Sequence, residues 1–73
     1  MSNFVIFADR GAHAVEAIQS RIDRLGVEIQ GYSELLHAND ITPVQRVRCH
    51  SRIRCNEQTI ARLTTLLQLA QEA

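Results

Sequence analysis

Seven apolar residues, Val15, Ile18, Ile22, Leu25, Ile29, Tyr32 and Leu36, recur at alternating intervals of three and four residues along the first half of the sequence. That spacing puts all of them on one stripe of an α-helix, whereas a strand would divide them between two faces. An unbroken heptad seam of this length is what a helix needs to pack along its whole length against another helix. The positions away from the seam carry Glu16, Gln19, Asp23, Gln30 and Glu34, which suit water. Gly26 and Gly31 interrupt the pattern, and each costs about 1 kcal/mol relative to Ala. A helix weakened twice in this way is expected to depend on its partner for stability.

The chain supplies that partner itself. His37-Ala38-Asn39-Asp40-Ile41 ends the periodic run, with Asn39 able to close the helix in a left-handed conformation. Thr42-Pro43 reads as an N-cap followed by Pro at the first helical position, where its missing N–H is harmless. The expected elements are a first helix over about 9–38, a loop over 39–42 and a second helix over about 43–71, with residues 1–8 as an apolar N-terminal arm. The second helix continues the seam through Cys49, Ile53, Asn56, Ile60, Leu63, Leu67 and Ala70. A loop so short forces the helices antiparallel. The fold class is therefore all-α: an antiparallel, coiled-coil-like two-helix hairpin, with arms of about 45 Å at 1.5 Å per residue. Charge agrees, because residues 9–40 carry six acidic side chains against three Arg, and residues 41–73 carry five Arg against two Glu. The arms attract each other with net charges of −3 and +3, a preference that selects the arrangement more than it stabilises it.

Composition removes whole classes of function. A chain of 73 residues makes one small domain, and 45% hydrophobic content argues against disorder. Zero formal net charge argues against a general nucleic-acid or membrane-surface binder. Two Cys are too few for a disulfide scaffold. Phe4-Val5-Ile6-Phe7-Ala8 is too short for a secretory signal core and lacks a basic lead. These features predict a cytoplasmic chain with free thiols, no membrane span and no cofactor.

Each candidate site competes with a plainer role. Two helices cannot bury much, and a chain this small needs a staple or a partner. Leu66 and Leu69 lie beside the seam residues Leu63 and Leu67, which makes an apolar face wider than one neighbouring helix covers. Protein binding is expected through Leu63, Leu66, Leu67 and Leu69, joined by Phe4 and Phe7 of the arm, with homo-oligomerisation when the chain is alone. The alternative is a basic face of Arg46, Arg48, Arg52 and Arg54, which would serve a dimeric, RNA-binding or phage-type regulatory four-helix bundle. Helical spacing divides those four between two sides, and no aromatic residue is interleaved for base stacking. Cys49 and Cys55 lie on different faces of their helix and do not suit a shared metal ion. His13, His37 and His50 are spread over both arms, with no nucleophile elbow or phosphate loop beside them, so the expectation is non-enzymatic. Asn56 is a polar residue at a seam position, where it can fix register. Tyr32 belongs to the seam with its hydroxyl at the edge.

His13-Ala14 followed by Ala17, Ile18 and Ile22, the opening Pro43-Val44-Gln45, and the aliphatic stretch from Ile60 to Leu69 together resemble the E-component (YscE-like) of type III secretion needle-subunit chaperones. The resemblance spans about residues 13–70. It implies a cytoplasmic co-chaperone, associated with virulence, that joins a helical-repeat partner to keep a secreted needle subunit from aggregating.

Overall fold

In the computed structural model the chain forms two helices, α1 (Ser2–Leu36) and α2 (Pro43–Glu72). The structure describes the backbone of residues 2–72 and the side chains of residues 13–72. Among these residues there is no strand, and no helix is long and apolar enough to cross a membrane. The two helices lie side by side as a hairpin, with principal extents of 61 × 15 × 14 Å.

The seam read from sequence is the seam observed. Along α1 between His13 and Leu36, the residues withdrawn from solvent are Val15, Ile18, Ile22, Leu25, Ile29, Tyr32 and Leu36, with Ser33 added. Along α2 they are Cys49, Ile53, Asn56, Ile60, Leu63, Leu67 and Ala70, with Thr59 added. Among the described residues, only Leu25 at 8% and Cys49 at 6% exposure are truly buried. A pair of helices covers each seam residue from one side, so half-burial is the most that geometry allows the rest.

The turn is built by a capping box. Thr42 Oγ1 accepts from the Gln45 backbone N–H at 3.1 Å, and the Thr42 backbone N–H donates to Gln45 Oε1 at 2.9 Å. Pro43 occupies the first helical position between them, and the Arg46 N–H closes the first helical bond to the Thr42 carbonyl at 2.9 Å.

Three expectations about the ends need correction. First, α1 stops at Leu36, two residues early, and tightens into i→i+3 bonds from His37 N to Glu34 O and from Ala38 N to Leu35 O. His37 Nδ1 also lies 2.8 Å from the Ser33 carbonyl. Second, Asn39 does not adopt the left-handed conformation expected of it, since no non-glycine residue among those described has positive φ; the i→i+3 bonds already occupy the last carbonyls. Third, α1 begins at Ser2, so residues 2–8 continue the helix rather than forming a separate arm. The side chains of Phe4 and Phe7, expected to bind protein, lie outside the described residues.

The molecule is a rod. Its radius of gyration is 17.2 Å, against about 11 Å for a compact chain of this length. It exposes 6052 Å², where a compact 8.2 kDa protein exposes about 4,500 Å².

Candidate interaction surfaces

Two cross-helix observations fix the register. Asn56 Nδ2 donates to Glu28 Oε2 at 3.0 Å. Near the loop, Tyr32 and Cys49 line one hollow. With a and d assigned to the seam, Leu25, Tyr32, Cys49 and Asn56 are all d residues, while Glu28 is a g residue. In an antiparallel pair the g positions of both helices fall on one broad face and the e positions on the other. The hairpin therefore has two broad faces. One is formed by the g and adjacent c positions, the other by the e and adjacent b positions.

The hollow agrees with the assignment. It measures about 390 Å³ and is lined by the d residues Tyr32 and Cys49, the g residues Leu35 and Gln45, and the c residue Arg48, with Ile41 and Asp40 of the loop at its rim. A simple hairpin is expected to have no pocket of its own. This one has an open hollow where α1 ends and the loop residues Ala38, Asp40, Ile41 and Thr42 join the first turns of α2 in lining it.

The sequence-selected residues separate on this frame. Leu66 (g) and Leu69 (c) are 51% and 58% exposed on the g/c face. The N-terminal segment, which as a free arm could have folded over them, is instead a continuation of α1. Leu63 and Leu67 are half-buried in the seam against α1, so they support the surface from behind instead of forming it. The basic segment does not make one face. Arg48 (c) and Arg52 (g) stand on the g/c side, whereas Arg54 (b) and Arg46 (a) stand on the e/b side, and all four are exposed.

Asn56 is half-buried and reaches across to the Glu28 carboxylate, the one cross-helix side-chain hydrogen bond among the described residues. It thus ties d of one helix to g of the other, which fits a register-setting role. Cys49 is buried in the seam and Cys55 is exposed, both as free thiols. No group of three or more metal-ligating side chains occurs among the described residues.

Sequence reading missed four exposed aliphatic residues: Val27 and Val47 at 70%, Val44 at 67% and Leu35 at 53%. The signal for them was available. Each falls outside the seam heptad positions, and a large aliphatic side chain there has no intramolecular place to go. Elsewhere in α2 the hydroxyls of Thr59, Thr64 and Thr65 each donate to the carbonyl four residues back.

No family model matches the sequence, and no curated protein or solved structure is significantly similar to it.

Proposed function

We propose that this chain is a non-enzymatic protein-binding module, and more narrowly a cytoplasmic co-chaperone that joins a helical-repeat partner to hold a type III secretion needle subunit before export. One observation carries the reading: among the described residues, six large aliphatic side chains are at least half exposed on a rod and two residues are truly buried. Such a molecule is a half-finished core. The surface it exposes beyond a compact chain, about 1,500 Å², is larger than the roughly 800 Å² that one partner contributes to a standard protein–protein interface. A concave helical-repeat surface suits a straight rod of about this width, and two helices beside it can enclose an amphipathic third.

The narrower reading is supported by the resemblance around Ala14–Ile22, Pro43–Gln45 and Ile60–Leu69. The rival reading, a regulator gripping RNA with Arg46, Arg48, Arg52 and Arg54, loses support because those four side chains do not share a face. The test is purification of the tagged full-length chain from its own host cytosol. A co-chaperone returns with a stoichiometric helical-repeat protein that stays bound at about 0.5 M salt, where phosphate contacts are largely lost. Recovery of nucleic acid that salt strips away would contradict it.

A further inference from the structure

The protein-binding reading leaves the partner's chemistry open, and the distribution of charge over the hairpin, taken together with that reading, narrows it. The whole chain is neutral and the arms are oppositely charged. Sorted by face, the result is different. The g/c face gathers Arg21 and Arg24 from α1 with Arg48, Arg52 and Arg62 from α2, all exposed. Against these five it sets Glu28, whose carboxylate is taken by Asn56, and Asp40 at the rim of the hollow. The e/b face carries Glu16, Asp23 and Glu57 against Arg46 and Arg54.

The register places the five guanidinium groups in a band. Arg21, Arg24 and Arg62 stand at nearly one level, Arg52 comes next, and Arg48 lies at the hollow, a span of about 20 Å at 1.5 Å per residue. Aliphatic side chains bracket the band: Leu35 at the loop end, Leu66 and Leu69 at the other, all at least half exposed. The two brackets are roughly 30 Å apart on the same count. The α1 side of the face is low, with Ala14 and Ala17 alongside the Leu66–Leu69 pair and Gly31 between the brackets, and a Cβ added to Gly31 would meet nothing within 4 Å.

The geometry points to an acidic amphipathic helix of another protein as the occupant of this face, with carboxylates along the arginine band and aliphatic anchors meeting the hollow and the Leu66–Leu69 pair. A second copy bound by two-fold symmetry through the same face would set arginine band against arginine band. A nucleic-acid backbone would gain nothing from the exposed leucines, would meet Glu28 in mid-band, and would find Tyr32 half-buried in the seam instead of offered for stacking.

Fluorescence anisotropy on the full chain tests this with three labelled probes. The first is a synthetic helix of about 21 residues, long enough to span both brackets, with Leu at seam spacing and Glu on its flanks. The second is its counterpart with Lys for every Glu, and the third is a single-stranded RNA of similar length. The acidic helix is expected to bind at least about tenfold more tightly than either of the others. Arg24→Glu combined with Arg52→Glu should weaken the acidic helix by about tenfold or more and transfer preference to the Lys helix. Arg46→Glu combined with Arg54→Glu should change binding by less than about twofold, since both stand on the other side. Equal binding of the two helices, a larger effect of the Arg46 and Arg54 pair, or tighter binding of RNA would overturn the inference while leaving a different binding surface to find. If neither helix binds, the acidic-helix inference falls, and co-purification of a salt-stable protein partner decides the protein-binding reading separately.

Discussion

Leu66 and Leu69 share a broad face with Arg24 and Arg52, while the opposite face carries Glu16, Asp23, Glu57, Ser33 and Gln30. Both faces flank the same seam and are built from the same two helices. They differ because the seam is offset: its d residues border the g/c face and its a residues border the e/b face. The hollow opens beside Tyr32 and Cys49 for that reason. A two-helix hairpin thus has a side that ends its core and a side that invites continuation, and the distinction lives in heptad position instead of in local sequence.

Mutations that strike the seam should affect both faces alike and should be the most damaging. Ile22→Asp or Ile60→Asp places an unpaired charge between the arms and is expected to cost more than about 3 kcal/mol, enough to abolish the helical circular dichroism signal of so thin a core. Leu25→Ala, at one of the two truly buried positions, should cost about 2–3 kcal/mol in thermal or urea unfolding. Leu66→Ser with Leu69→Ser removes comparable apolar bulk, yet stability should move by no more than about 0.5 kcal/mol, because both side chains face water. Binding of the acidic helix should fall instead. If the leucine pair proves as costly to folding as Leu25, the division between seam and face is wrong.

Loss of the cap affects one end only. Thr42→Ala removes the acceptor for the Gln45 N–H and should cost about 1 kcal/mol, measured as a lowered urea midpoint with an unchanged slope.

The two glycines sharpen the comparison of faces most finely. Neither has positive φ, and an added Cβ meets nothing within 4 Å at Gly26 or at Gly31. Each change to Ala should therefore stabilise α1 by about 0.5–1 kcal/mol. Gly26 is an e residue and Gly31 a c residue, so only Gly31→Ala adds bulk on the arginine face. It should gain stability and lose some affinity, whereas Gly26→Ala should gain stability alone. Equal effects on affinity would show that the faces do not differ as described.

The seam was legible in the sequence residue for residue, from Val15 to Leu36 and from Cys49 to Ala70, because a 3–4 spacing sustained this long has one structural meaning. Thr42 and Pro43 marked the second helix start for local reasons, and Gln45 completes a capping box with Thr42. The end of α1 was less legible, since no glycine marks it and the closing bonds are of the i→i+3 kind. The start of α1 was missed because Phe4–Ala8 is an unbroken apolar run and the seam counted back from Val15 meets Gly11 first. The arginine face could not be seen by counting charge along segments. Arg21 and Arg24 meet Arg48, Arg52 and Arg62 only after the register between arms is fixed, and Glu28 with Asn56 is part of what fixes it.

Cys49 and Cys55 provide a direct test, since one lies in the seam and the other stands at a c position in the middle of the arginine band. The rate of maleimide modification should be measured at each thiol, with the chain alone and with the acidic helix bound. Alone, Cys55 is expected to react at least about tenfold faster than Cys49, which lines the hollow but is only 6% exposed. With the helix bound, Cys55 should become protected while Cys49 slows further. Cys49 reacting as fast as Cys55 would contradict the hairpin, and an unprotected Cys55 in the complex would contradict the face assigned to the partner.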